Sequence, residues 1–155
     1  TLDLCSSDFP SELDRKERRQ ISVSKSGNPY SFLSSETVRY KNFGSGAKAL
    51  AELKKSYTNC VKNGGGVERD GSFTKYEFLG VPENLTRLVP EENRVVVHAK
   101  IGEGTSARYL FGIYQYRDEM FTGLYVVKNG ETPFAEDELL RWVNVAEKFA
   151  QRLNA

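Results

Sequence analysis

The sequence predicts an α+β fold: an antiparallel β-sheet, with a central three-stranded meander inside a larger sheet, packed by two long helices. Three observations carry this reading. Between Arg94 and Val127 three β-type segments follow one another with only short polar breaks. Spacers that short join antiparallel neighbours, because a parallel return needs a crossover of about a dozen residues or more. Ala47, Leu50, Leu53, Tyr57 and Cys60 recur at intervals of three and four, as do Leu139, Trp142, Val143, Ala146, Phe149, Ala150 and Leu153. Each set forms one stripe on a helix. Strands before and after the first helix, with a second helix closing the chain, make the α+β class.

Taken in order, Phe9 to Leu13 reads as a turn or short helical piece with Ser11 as a plausible N-cap. Arg15 to Arg19 is a charge run, read as a solvated face leading into a weak strand in which Ile21 and Val23 alternate with serines. Ser26-Gly27-Asn28-Pro29 is a turn cluster, and Thr37 to Phe43 a second strand. Gly44-Ser45-Gly46 opens the first helix, and Asn63-Gly64-Gly65-Gly66 ends it. Phe73 to Leu79 is a further strand, and Pro82 to Asn93, with Pro90 inside it, a loop or broken short helix. In the meander, Val95, Val97, Ala99 and Ile101 alternate with Arg94, Val96, His98 and Lys100, apolar on one side and mostly polar on the other. Thr132-Pro133 signals entry to the last helix, which carries Glu136, Asp137 and Glu138 in its first turn and Lys148 and Arg152 towards its end. That polarity suits the helix dipole.

At 155 residues the simplest organisation is one domain spanning 1–155. Hydrophobic residues at 39% and charged ones at 28% describe a globular chain. Twenty-two basic against 21 acidic residues leave +1, so no nucleic-acid footprint is expected. No apolar run reaches the length of a membrane span. The inventory also works against most catalysis. His98 is the single histidine, so a two-histidine zinc site is excluded, and the two cysteines lack CxxC spacing. Cys60 on a core-facing stripe and His98 on the polar side of a strand do not make a nucleophile pair. The Gly64–Gly66 run leads into a strand, whereas a phosphate loop leads into a helix. No cofactor is expected. Cys5 and Cys60 permit a single disulfide, and spacing alone leaves that bond and two free thiols equally open.

One feature departs from a half-exposed sheet, which is polar on its solvent side. Tyr109, Phe111 and Ile113 occupy one parity of the second meander strand, and Leu110, Tyr114 and Tyr116 the other; Tyr125 sits on the next strand. Either both faces are covered, or one is an open aromatic groove; Gly112 and Gly123 suit a close-packed helix or a small cleft alike. For an open face the candidate ligand residues are His98, Tyr114, Tyr116 and Tyr125. The tyrosines would stack and hydrogen-bond, and His98 would make a pH-sensitive polar contact.

Leu4-Cys5, Arg18-Arg19-Gln20, Ser35-Glu36-Thr37-Val38-Arg39-Tyr40 and Ala49-Leu50-Ala51-Glu52-Leu53 running to Cys60 carry a family likeness. With them the chain resembles secreted proteins and lipoproteins of actinobacteria and, more distantly, the extracytoplasmic sensor domain of mycobacterial-type serine/threonine kinases. The resemblance implies an exported domain, tethered by a lipid or stalk outside these 155 residues, with a Cys5–Cys60 disulfide. It implies a non-catalytic sensing or binding role in the cell envelope, towards a small ligand or an envelope protein, as a monomer. One departure is that the kinase sensor domains usually carry two disulfides, and this chain can form at most one. The alternatives are a structural or protein–protein interaction module of the cell surface and, third, a hydrolase built on scattered carboxylates.

Overall fold

The period-two stretch folds as three antiparallel strands at the middle of a seven-stranded sheet. The computed structural model describes residues 4–27, 30–86 and 93–152. Asn28 and Pro29 of the expected turn, the segment around Pro90, and Leu153 of the last helical stripe lie outside these residues. In chain order the elements are β1 (Arg15–Lys25), β2 (Ser31–Tyr40), α1 (Ser45–Asn63), β3 (Gly65–Val67) and β4 (Phe73–Phe78). A single turn of helix, α2 (Glu83–Thr86), precedes β5 (Arg94–Ile101), β6 (Arg108–Arg117), β7 (Met120–Asn129) and α3 (Glu136–Arg152). The sheet runs β1-β2-β7-β6-β5-β4-β3, antiparallel throughout.

This order explains what the helices do. The chain leaves β2 near one side of the sheet and re-enters at β3 on the far edge, so α1 must cross the whole of one face. Ala49, Leu50, Leu53 and Cys60 are its buried stripe, packed on Val95, Val97, Ala99, Leu110 and Tyr114. Helix α3 lies on the other face, where Leu139, Val143 and Ala146 meet Phe111, Ile113, Leu124 and Val126. Both faces of the meander are therefore covered, because strand side chains alternate and each parity has its own helix. Lys128, which extends its ammonium to Glu138 at 2.8 Å, ties the start of α3 to the sheet. Glu138 also accepts the Ala135 N–H at 2.9 Å, one half of a capping box. Partial burial raises the Glu138 pKa, but the Lys128 hydrogen bond and the Ala135 N–H outweigh it and leave the carboxyl below its usual value.

The amino-terminal segment is fastened to α1 by the Cys5–Cys60 disulfide, whose Cα atoms stand 6.0 Å apart. Around it, Ser56 Oγ donates to the Leu4 carbonyl at 2.9 Å, and the Ser11 backbone N–H donates to Glu52 at 3.1 Å. Ser11 is thus not a cap: the short 3₁₀ turn Pro10–Asp14 begins at Phe9 without side-chain capping, and buried Ser11 docks through its main chain. Gly66 lies so close that a Cβ there would stand 2.3 Å from the Cys5 carbonyl oxygen. The triglycine run is more than a helix stop. Gly64 takes the left-handed conformation (φ 68) that closes α1, and Gly65 and Gly66 form most of β3.

Candidate functional site

The four sequence-derived ligand residues do not converge. Tyr114, Tyr116 and Tyr125 lie on the α1 face, and His98 lies on the α3 face. Tyr114 is buried, and its ring covers the two bare glycines: a Cβ on Gly112 would stand 2.9 Å from the ring, and one on Gly123 3.1 Å. The glycines are a seat for the tyrosine rather than the floor of an open cleft. Tyr114 and Tyr125 do share a cavity, with Glu12, Glu36 and Tyr40, but it holds only about 10 Å³. That is room for roughly one water molecule. The carboxylates meeting there are clasped by arginines: Arg15 reaches Glu12 at 2.9 Å and Glu36 at 3.9 Å, and Arg18 binds Glu36 as well. Nearby, burial pushes the Tyr40 hydroxyl up to about 12. This is a packed polar knot, with no space for a substrate.

His98 was expected on a polar strand face, and only 5% of it is exposed. Alternation places it beneath Phe134, with Phe111 and Phe134 rings both centred 6.0 Å away. Its Nδ1 donates to the Gly80 carbonyl at 3.1 Å. Burial lowers its pKa below 6.5, the Gly80 bond opposes this, and Lys128 reinforces it. The folded protein holds His98 neutral, while the unfolded chain takes up a proton as pH falls through 6.5, so stability drops with falling pH in that range. His98→Asn, which keeps a donor for Gly80, is expected to flatten this part of the profile. Urea midpoints measured between about pH 7 and about pH 5 test it, with unchanged steepness as the contrary result.

Among the described residues open concavities lie elsewhere, one of about 680 Å³ beside Tyr30 and Tyr109 and a longer one along α3. Helix α3 sits over β6 and β7, and β1 and β2 extend beyond it, leaving a step between helix and hairpin. Two hollows of about 740 and 850 Å³ follow this step and share Leu33, so they read as one groove. Each lies within the roughly 300–1,000 Å³ of ordinary ligand sites. One wall is half-buried Trp142, Val145 and Phe149 of α3; the other is Leu33 with Ile21 and Val23, which are 69% and 58% exposed. Register explains the second wall. Ile21 pairs with Ser35 and Val23 with Leu33, which puts them on the parity that reaches Val126 and Leu124 on β7.

The rim is basic. Arg18, Arg19, Arg39 and Arg152 stand towards one end, Lys25, Lys128 and Arg141 towards the other, and Lys148 between them, one turn of α3 from Arg152. The acidic members are Glu17, Glu119 and Glu138, a local balance of +5 in a chain of +1. Glu119 sits 3.7 Å from Arg39 and Glu138 2.8 Å from Lys128, and Arg18 is held by Glu36. Arg19, Lys25, Lys148 and Arg152 have no ion-pair partner among the described residues.

Sequence reasoning passed over these residues for a physical reason. Arg19, Ile21, Val23 and Lys25 share one parity of a strand judged weak, and nothing local says that its apolar side faces water. The available signal was the surplus breadth of the last helix's stripe, where Trp142, Val145 and Phe149 flank the buried line Leu139, Val143 and Ala146.

The chain matches no family model and no curated protein. Among solved structures, it is similar to the extracellular domain of PknH from Mycobacterium tuberculosis. The two superpose with a TM-score of 0.53 over 93% of this chain and 71% of that one, at 12% sequence identity. What the two chains share is the fold.

Proposed function

We propose that this chain is an exported, non-catalytic binding module whose ligand site is the groove between α3 and the β1–β2 hairpin. The observation that carries the reading is the contrast between the two faces. The α1 face is filled around Tyr114, whereas the α3 face leaves an open, mostly apolar groove with a basic rim. Export is supported by the Cys5–Cys60 disulfide, a bond that persists in oxidising compartments, and by a fold like that of an extracellular domain. The aromatic tyrosines then serve as packing beneath α1, and the binding side chains are Ile21, Val23, Leu33, Trp142 and Phe149.

A second reading, docking of an envelope protein, is favoured by Leu13 and Phe43, each 82% exposed. They stand at one end of the sheet, where Lys41 bonds the carbonyls of Asp14 and Leu13. Amide chemical-shift mapping separates the two. A small ligand in the groove perturbs β1, β2 and α3 on their facing sides, and a protein partner at the tip perturbs Leu13 and Phe43. Absence of any groove perturbation by envelope small molecules overturns the first reading.

A further inference from the structure

Resting on the groove as the ligand site, we infer that it takes an anionic amphiphile: a single apolar chain laid along the step, its acidic head group held at the arginine end. The groove follows β1 from Arg19 to Lys25, which spans about 20 Å at roughly 3.3 Å per residue. Helix α3 runs antiparallel to it, so that Arg152 is brought beside Arg19 and Arg39, and Arg141 beside Lys25. Ile21, Val23 and Leu33 face Trp142, Val145 and Phe149 between these charged ends. The length between them is mostly apolar, with Lys148 one turn of α3 from Arg152, and the ends are cationic, which is the complement of a chain with an acidic terminus.

The arginine end suits the head group better than the lysine end. Pairing alone does not separate the ends, since Arg18 and Arg39 are held by Glu36 and Glu119 as Lys128 and Arg141 are by Glu138 and Asp137, and Lys25 at the lysine end is unpaired among the described residues; the chemistry of the free cations does. Arg19 and Arg152 face no carboxylate among the described residues, and guanidinium groups bind phosphate or carboxylate oxygens in pairs of hydrogen bonds. An extended acidic peptide is less well matched. Its own N–H and C=O groups need partners, and the floor offers few. β2 is hydrogen-bonded on both sides, and the backbone of α3 bonds within the helix. An alkyl chain makes no such demand.

Trp142 is the single tryptophan of the chain and lies in the groove wall, so its emission reports occupancy directly. Decyl phosphate, kept below its micelle concentration, is expected to give a saturable blue shift. Decyl maltoside, with the same chain and no charge, is expected to bind about tenfold or more weakly, and inorganic phosphate alone to give no shift. The Arg19→Gln/Arg152→Gln variant is expected to lose that tenfold preference while its response to decyl maltoside is unchanged. The exposed pair Ile21→Ser/Val23→Ser is expected to weaken both amphiphiles; circular dichroism of each variant confirms the fold. Equal affinity for both amphiphiles, with both lost in Ile21→Ser/Val23→Ser, overturns the anionic class and leaves the groove standing. A saturable shift with an acidic amphipathic helix and none with decyl phosphate also overturns it. No shift with any probe overturns both the class and the site.

Discussion

Replacing Cys5 and Cys60 by serine is expected to lower stability by about 4 kcal/mol, the chain-entropy value for a cross-link closing a loop of this size. The bond joins residues separated by 55 positions, and hydrogen bonds and apolar burial supply the rest of the hold on residues 4–14. Ser56 with Leu4 and Ser7, and Ser11 with Glu52, contribute about 1 kcal/mol each. Leu4 and Phe9 add burial against α1. For a chain of this length such a loss shifts the melting temperature by roughly 8–16 °C. Differential scanning calorimetry, paired with limited proteolysis at residues 4–14, reads both the global and the local effect. An unchanged melting temperature and an uncut amino terminus would show that the hydrogen bonds and Leu4 suffice without the cross-link.

Phe111→Ala is expected to cost about 3–5 kcal/mol, since truncating a buried aromatic leaves a cavity that its neighbours fill only in part. Phe111 is 1% exposed on the central strand β6 and touches His98 and Phe134 as well as the underside of α3. Phe149→Ala provides the contrast. Phe149 is half-buried in the groove wall, so its truncation removes little apolar contact and is expected to cost about 1 kcal/mol. Urea unfolding of the two variants tests the distinction between core and groove lining. Equal losses would place Phe149 in the core and close the groove at that end.

Much of the fold was legible because it depends on periodicity. The meander and both helices announce themselves through patterns of two and of three to four, and their burial follows. What was not legible depends on which element covers which face. The same alternation that predicts β5 also predicts an exposed His98, and only the position of Phe134 and the 79–86 segment over that face makes it core. Likewise Gly112 and Gly123 signal a close approach, but whether by a helix, a ligand or a tyrosine ring is a matter of register. Tyr114 lies directly across from Gly123 and two residues from Gly112, which decides it. The strand β1 was underestimated because charges dominate its first half. An edge strand tolerates them, and its lysines and arginines guard an unpaired edge against adventitious pairing.

The central claim is that ligand binding belongs to the step between α3 and the β1–β2 hairpin and not to the tyrosine face under α1. Amide chemical-shift mapping with decyl phosphate reads both surfaces in one titration. The account predicts saturable shifts at Ile21, Val23, Leu33, Trp142 and Phe149, with Leu53, Val97 and Tyr114 unmoved. Shifts centred on Tyr114, Tyr116 and Tyr125, with the hairpin and α3 silent, would contradict it.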